Sequence, residues 1–238
     1  MITATYIDHM GSDLSVVNAA RVSFGKRSDW EWSDEEGATN YTFGQGDGKI
    51  YLKLSDRDTK LIKYLAKHKH MSPFGHAFAS FHVVCPIYVH AQLEKHKFLR
   101  VNTVSRRYVD TPPTFYLPDP FRYKADDKKQ GSTGNANQAV MHDGFDHVLA
   151  DHMEQSKKLY LEMIERGIAP ELARGWLPQA AFTEFYWSGS LDAWASMCNL
   201  RCKPDTQYES RLVADQISAE MAKLFPVSWA ALMENNDE

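Results

Sequence analysis

The sequence is poor in cysteine and has no long apolar run, and each shortage excludes a class of protein. Three cysteines among 238 residues, an odd number without a close pairing motif, provide no disulfide framework and favour a reducing compartment. No stretch approaches the roughly 18 consecutive apolar residues that a membrane-spanning helix needs. The N-terminal residues lack the basic region and apolar run of an export signal. We therefore expect a soluble, cytoplasmic protein with no membrane partner.

An excess of basic residues is also missing. The chain has 27 lysines and arginines against 31 aspartates and glutamates, a net charge of −4, whereas a general nucleic-acid-binding protein usually carries its basic patch on a basic chain. We therefore expect no nucleic-acid partner. The hydrophobic fraction of 43% is ordinary for a globular protein, and no internal repeat or linker divides the chain. These features predict one mixed domain over residues 1–238.

Hydrophobic periodicity predicts where strands and helices lie along the chain. Alternating apolar residues predict a buried strand over 77–85, and β-branched and aromatic residues predict shorter strands over 2–7 and 182–187. Ser12 and Ser55 are suited to cap the helices that follow them. The predicted helices cover residues 12–21, 55–68, 87–97, 139–166, 169–177, 191–200 and 207–225.

Two segments interrupt this periodicity. From about residue 25 to residue 54, glycines and acidic residues replace the apolar pattern. This segment is predicted to be a surface insertion at about 25–54, with a hairpin near residues 49–52. Prolines mark an irregular connection after residue 112, and the polar residues 124–135 predict a mobile loop.

One basic stretch contrasts with the acidic background. Residues 92–108 hold five lysines and arginines, a histidine, a serine and two amides, and they follow the end of a predicted strand, where sites are commonly built. Their charge alone allows either a solvated basic face or a site for an anionic ligand. Arg107, Arg174 and Arg201 raise the same question, because a guanidinium keeps its charge and needs either salt bridges or a bound anion. The residues leave both alternatives open.

Four histidines are candidate metal ligands. A His-x-His pair with a third histidine nearby can bind zinc, but no cysteine or carboxylate is spaced to complete such a site. A structural histidine is the commoner case within a strand pattern, so we predict no metal. The four positions are His68, His70, His76 and His82.

The spacing within the basic stretch resembles the signature of a known family. Residues 95–97 read Lys-His-Lys, seven residues follow, and residues 105–108 read Ser-Arg-Arg-Tyr. This run resembles the signature of the flavin-dependent thymidylate synthases, which is Arg-His-Arg, seven residues, serine and then Gly-Arg-Tyr. Gln92 and Asn102 also match the family. Further blocks that look like the family are residues 10–24, 64–76, 86–89, 173–178 and 199–201.

This resemblance implies a fold, an assembly and a reaction. The fold would be α+β, with a β-sheet flanked by long helices, and the assembly a homotetramer whose active sites lie at subunit interfaces. The reaction would be the reductive methylation of deoxyuridylate (dUMP) to thymidylate (dTMP). In this chemistry 5,10-methylenetetrahydrofolate supplies a methylene group to uracil C5, FAD reduced by NADPH supplies the hydride, and no enzyme nucleophile attacks the base.

The resemblance also implies roles for individual residues. Two residues would border the uracil as catalytic residues, namely Ser105 and Arg201. The residues expected to bind dUMP are Gln92, Lys95, Ser105, Arg106, Arg107, Arg174 and Arg201. The residues expected to bind cofactor, with His70 used for folate and the others for FAD, are Ser23, His70, Lys95, His96, Lys97, Thr103 and Ser196.

The chain also departs from the family's pattern. Lys95 and Lys97 replace the signature arginines, which keeps the positive charge but loses the planar guanidinium fork. Arg100, Thr103 and Arg106 replace a serine, a glutamate and a glycine. The positions where relatives often carry asparagine or arginine for FAD are Ser190, Asp192 and Ser196. These departures leave two alternatives: a related pyrimidine-nucleotide hydroxymethylase, and a non-catalytic nucleotide-binding homologue that has lost flavin.

Overall fold

The computed structural model describes residues 1–33, 41–43, 50–119, 121–125, 132–133 and 144–234. Within these ranges the strands are β1 (Thr3–Met10), β2 (Glu31–Ser33), β3 (Tyr41–Phe43), β4 (Ile50–Lys53), β5 (Phe78–Pro86), β6 (Arg100–Thr103), β7 (Tyr123–Lys124), β8 (Ser132–Thr133) and β9 (Phe182–Ser190). The helices are α1 (Asp13–Arg21), α2 (Asp56–Lys67), α3 (Ile87–Leu93), α4 (Phe145–Glu165), α5 (Pro170–Ala173), α6 (Leu191–Arg201), α7 (Tyr208–Leu224) and α8 (Pro226–Glu234). None of the helices in these ranges is long and apolar enough to cross a membrane.

A four-stranded antiparallel sheet, ordered β1-β5-β9-β6, forms the centre of the described structure. One face of this sheet is apolar. Ala79, Phe81, Val83 and Cys85 of β5 are all fully buried, so the predicted alternation is confirmed. Trp194 of α6 packs on this face, and its indole Nε1 donates to the Ala79 carbonyl at 3.1 Å. The predicted mixture of sheet and helices in one domain is also confirmed.

Both predicted helix caps are present. Ser12 precedes α1, and its backbone N–H donates to Ser15 Oγ at 3.0 Å. Ser55 precedes α2, and its Oγ accepts from the backbone N–H of Asp58 at 3.1 Å. The local sequence therefore determines where these two helices begin.

The helix predicted over residues 87–97 is shorter than expected. It ends at Leu93, and the chain then passes through Phe98, whose φ of 67° lies in the left-handed region, before Leu99 enters the core. Gly189 of β9 makes room for this turn, because a Cβ there would lie 2.3 Å from Leu99 Cδ2. The next strand, β6, is not predicted from the sequence, since its mostly exposed residues show no apolar alternation.

Other element boundaries differ from the predictions in smaller ways. The strand predicted over residues 2–7 continues to Met10. The helix predicted over residues 169–177 ends at Ala173, where a 3-10 turn follows. No helix is predicted after α7, yet Pro226 opens α8, because proline is tolerated in the first turn of a helix.

The two irregular segments are only partly covered by the structure. In the predicted 25–54 insertion, β4 pairs antiparallel with β2 and with β3, close to the hairpin expected near residues 49–52. The insertion as a whole, the mobile loop over 124–135 and the first residues of the 139–166 helix stay predictions. The residues outside the description are 34–40, 44–49, 120, 126–131, 134–143 and 235–238.

Asp13 links the first helix of the chain, α1, to the last described helix, α8. The side chain is fully buried, and its carboxylate accepts from the backbone N–H groups of Val227 at 3.0 Å and Ser228 at 2.9 Å. These N–H groups belong to the first turn of α8, where backbone donors have no carbonyl partner within the helix. Asp13 therefore caps α8 from α1.

Replacing Asp13 by alanine is expected to lower the free energy of unfolding by about 2 to 3 kcal/mol, because two charge-assisted hydrogen bonds are lost and two backbone donors are left without a partner. Urea denaturation of the variant measures this loss. Asp215→Ala, which removes an exposed carboxylate from α7, is the matched control and should change stability by less than about 0.5 kcal/mol. Equal stability of the two variants would contradict the capping role.

Candidate functional site

A pocket of about 330 Å³ lies where α3, the end of α6 and the beginning of α7 meet. Its volume is at the lower end of the range for small-molecule sites. Two predicted substrate-binding residues lie in its wall, Gln92 from α3 and Arg201 from the last turn of α6. The full set of lining residues is Gln92, Arg122, Ser132, Arg201, Thr206, Gln207 and Glu209.

Arg201 is oriented by a neutral histidine. Its Nε donates to His96 Nε2 at 2.9 Å. Burial, and after it the positive charge of Arg201, lower the pKa of His96 to about 4, so the ring is neutral near pH 7 and can accept this hydrogen bond. Burial also lowers the pKa of Arg201, although a guanidinium remains charged at physiological pH. The pair therefore keeps one positive charge in the pocket wall.

The arginines discussed here fall into two groups: some pair with a buried carboxylate, and others have no carboxylate partner among the described residues. Arg21 pairs with the buried Asp58, and Arg122 pairs with the buried Glu209. In contrast, Arg201 forms no ion pair with any carboxylate of the described residues, and the same holds for two other candidates, Arg107 and Arg174. Of the two explanations that the sequence leaves open for these three arginines, salt bridges within the described chain do not apply.

The loop after β6 holds Ser105 and two arginines in different ways. Ser105 Oγ accepts from the backbone N–H and from Nε of Arg107, each at 3.4 Å. Arg107 is exposed, whereas Arg106 donates to the Thr111 carbonyl at 2.9 Å and lies 5.7 Å from the centre of the Tyr160 ring. Arg106 is therefore tied to its own loop, and Arg107 presents its charge to solvent.

The remaining residues of the signature stretch surround the end of α3. Lys95 and Lys97 are exposed, and Lys95 Nζ lies 3.1 Å from Glu94 Oε1. Thr103 Oγ1 lies 3.0 Å from His90 Nε2, which fixes β6 against α3. Burial lowers the pKa of His90.

Of the thirteen predicted site residues, Gln92 and Arg201 line the pocket, and four of the others lie neither in its wall nor in the signature stretch. Arg174 is exposed on the 3-10 turn after α5. Ser23 and Ser196 are also exposed. The ring of the exposed His70 lies 6.2 Å from that of Tyr64, measured between centroids. None of these four side chains lines the pocket that contains Arg201.

Sequence reasoning missed the acidic part of the pocket. Glu209 is only 2% exposed, forms the ion pair with Arg122, and accepts from the Tyr116 hydroxyl at 3.3 Å and from Gln207 Nε2 at 3.4 Å. Burial and the adjacent carboxylate raise the pKa of Tyr116 to about 12. A signal was available, because a glutamate at the start of the apolar face of a predicted helix needs a cationic partner.

The four histidines do not form a metal cluster. His82 Nε2 lies 3.0 Å from Glu184 Oε2, and the rings of His68 and His70 are 6.3 Å apart between centroids. In the part of the chain that the structure describes, no group of three or more histidine, cysteine or acidic side chains is placed to hold an ion.

The fold and the pocket together define a class of protein: a mixed helix-and-sheet domain whose pocket combines an unpaired arginine with amide groups, which suits a small anionic ligand. The sequence model of the thymidylate synthase complementing protein family matches residues 5–227. The chain belongs to this family, and the expectation that it is an enzyme of this methyltransferase family is confirmed.

Named relatives agree with this assignment. A flavin-dependent thymidylate synthase of Thermus thermophilus is 34% identical over 229 residues, which are 96% of this chain and 74% of that protein. The flavin-dependent thymidylate synthase of Kosmotoga olearia is 32% identical over 231 residues, covering 95% of this chain and 88% of the relative. The resemblance found in the signature stretch is therefore confirmed.

Solved structures are similar over almost the whole chain. The UMP/dUMP methylase PolB from Streptomyces cacaoi, bound with 5-Br UMP, superposes with a TM-score of 0.79 at 27% identity and covers 99% of this chain and 95% of that chain. The same enzyme bound with 5-Br dUMP gives a TM-score of 0.78 at 28% identity, over 98% of this chain and 95% of that chain.

Proposed function

We propose that this protein is a flavin-dependent thymidylate synthase that methylates dUMP to dTMP with 5,10-methylenetetrahydrofolate. One observation carries the proposal. Arg201 places a positive charge without a carboxylate partner in a pocket that it shares with Gln92. The names of the relatives support the same reaction. This pocket suits a ligand that has both an anionic group and a hydrogen-bonding base.

In this proposal different arginines contact different parts of the nucleotide. Arg201 lies beside a uracil carbonyl, where a fixed cation stabilises the electron-rich base that attacks the folate methylene group. Arg107 and Arg174 bind the phosphate, for which the planar guanidinium is suited. Ser105 borders the uracil, and Gln92 donates a hydrogen bond. Lys95 and Arg106 complete the proposed dUMP-binding set, with Arg106 acting from a loop that it also stabilises.

The polar and charged side chains proposed to bind FAD are of the chemical types that this cofactor needs. Lys95 and Lys97 offer exposed ammonium groups for a pyrophosphate, and Ser23 and Ser196 offer exposed hydroxyl groups. His96 has only Nδ1–H left to donate, because Nε2 accepts from Arg201. Thr103 Oγ1 contacts His90 Nε2 of α3, and through this contact it would support the flavin site. When bound, FAD would supply the hydride, with NADPH as its reductant.

We further propose that the active site is assembled between subunits of a homotetramer. Ser23, His70, Arg174 and Ser196 are exposed and lie outside the pocket of one chain. A second subunit could bring such residues to the pocket, including His70 for folate. Sedimentation equilibrium of the purified protein measures the assembly, and a monomer at assay concentration would contradict this part of the proposal.

A tritium-release assay tests the proposed reaction. Substitution at uracil C5 must expel the hydrogen there, so dUMP carrying tritium at C5 should release it to water in the presence of FAD, NADPH and methylenetetrahydrofolate. Omitting the folate or the flavin should abolish release. A protein that binds dUMP but releases no tritium with all cofactors present would be the non-catalytic homologue instead.

UMP is a second candidate substrate. It is favoured by the similarity to PolB, which is described as a UMP/dUMP methylase. The same assay with tritiated UMP compares the two nucleotides. We expect a higher kcat/KM for dUMP, and the reverse order would make UMP the substrate.

A further inference from the structure

We propose that Ser210 is a positioning residue that fixes the side-chain amide of Gln92 for ligand recognition in the pocket. Ser210 is fully buried in the first turn of α7, and its hydroxyl donates to Gln92 Oε1. Gln92 lines the pocket, whereas Ser210 does not. Any effect of Ser210 on a ligand in this pocket therefore passes through Gln92.

The position of Ser210 on α7 indicates that its hydroxyl is not there for packing. The buried stripe of this helix continues through Val213, Ala214, Ile217 and Met221, all fully buried and apolar. An apolar residue would fit the start of the same stripe, and a buried hydroxyl is costly unless it is hydrogen-bonded. Among the described residues its side chain has one hydrogen-bond partner, the oxygen of Gln92.

This hydrogen bond determines which end of the amide is left for a ligand. A glutamine amide has one accepting oxygen and one NH₂ group with two donors. Because Ser210 holds Oε1, the NH₂ group of Gln92 is the end that remains to be used in the pocket. The neighbouring carboxylate of Glu209 already accepts from three other side chains. The fixed amide therefore selects a ligand that presents an accepting oxygen, such as a phosphate or a carbonyl.

The identity of the ligand rests on the proposed function, since dUMP carries both kinds of oxygen. Without Ser210 the amide can rotate, and the oxygen can face the ligand as readily as the NH₂ group. We expect Ser210→Ala to raise the Kd for dUMP about three- to tenfold, the size of one neutral hydrogen bond. KM for dUMP should rise by the same factor with kcat at saturating dUMP little changed. Ser210→Thr, which retains the hydroxyl, should restore the affinity.

A double-mutant cycle separates positioning from a general loss of structure. Calorimetry with dUMP is carried out on the full-length wild type, Ser210→Ala, Gln92→Ala and the double variant. If Ser210 acts through Gln92, its substitution adds no further loss once Gln92 is alanine. An equal loss in both backgrounds, or an unchanged Kd in Ser210→Ala, would overturn the proposal. Thermal unfolding checks that Ser210→Ala is folded at the temperature of the calorimetry.

A neutron crystal structure of Ser210→Ala, which distinguishes the amide oxygen of Gln92 from its NH₂ group, provides an outcome that does not depend on the substrate. The positioning role requires that the Gln92 amide adopt a new or mixed orientation in the variant. An unchanged orientation would refute it. If the wild type binds no dUMP, the proposed function fails, while this structure still decides whether Ser210 positions Gln92.

Discussion

Replacing Arg201 by alanine is expected to weaken dUMP binding by about 1.5 to 3 kcal/mol, the contribution of a hydrogen bond that involves one charged group. The reason lies in the pocket. Arg201 contributes a positive charge that no described carboxylate neutralises, and the neutral ring of His96 holds its Nε at 2.9 Å. Calorimetry with dUMP and measurement of kcat/KM by tritium release both report this loss.

Two further variants sharpen the Arg201 prediction. Arg201→Lys keeps the charge but cannot form the same planar fork, so it should recover only part of the affinity. Arg211→Ala is the matched control, because Arg211 is a nearby arginine of α7 that donates to the Pro204 carbonyl and does not line the pocket. It should bind dUMP like the wild type. Wild-type affinity in Arg201→Ala would remove Arg201 from the site.

Replacing Asp58 by alanine is expected to lower the free energy of unfolding by about 3 to 5 kcal/mol, because the guanidinium of Arg21, whose side chain is only 12% exposed, would be left without its partner. Asp58 is 3% exposed and accepts from Arg21 Nε at 2.9 Å, from Ser28 Oγ at 3.0 Å and from Ser55 Oγ at 2.8 Å. This carboxylate therefore joins α1, α2 and the segment between them.

The matched control for this variant is Asp56→Ala, which removes an exposed carboxylate from the same first turn of α2. Its cost should be below about 1 kcal/mol, as for other exposed charges at helix N-termini. Urea denaturation of both variants measures the difference. Comparable stabilities would show that the buried network contributes little.

The same carboxylate should make stability depend on pH. Burial alone would raise the pKa of Asp58, but hydrogen bonds from Arg21, Ser55 and Ser28 outweigh it and hold the pKa below its ordinary value. A carboxyl whose pKa is depressed by folding stabilises the protein above the pKa of the unfolded chain, about 3.9, and this stabilisation is lost as the pH falls through the folded-state pKa. The gap between wild type and Asp58→Ala should therefore be full at pH 7 and shrink in acid.

The parts of the fold that follow local rules could be predicted from the sequence. The alternation in β5 and the caps at Ser12 and Ser55 depend on residues within a few positions of one another, and all are confirmed. β6 could not be found in this way. It is polar and mostly exposed, and it exists as a strand because its backbone pairs with β9, about 80 residues further along the chain.

The candidate site likewise has residues that the sequence could predict and contacts that it could not. The spacing of the signature indicated the family and marked Gln92, His96 and Ser105 as candidates, because a motif can be read along the chain. The contact between His96 and Arg201 spans 105 residues, and the pair of Arg122 with Glu209 spans 87. Such contacts depend on how α3, α6 and α7 pack, and the hydrophobic pattern of each helix does not specify which polar side chains meet between them.

The mass of the nucleotide product tests the central claim most directly. The protein is incubated with dUMP, methylenetetrahydrofolate, FAD and NADPH, and the nucleotide is analysed by mass spectrometry. Our account predicts a product that is heavier than dUMP by one CH₂ unit and identical to dTMP in chromatography. A product that carries one further oxygen would identify a hydroxymethylase, and recovery of unchanged dUMP by a protein that binds it would contradict catalysis altogether.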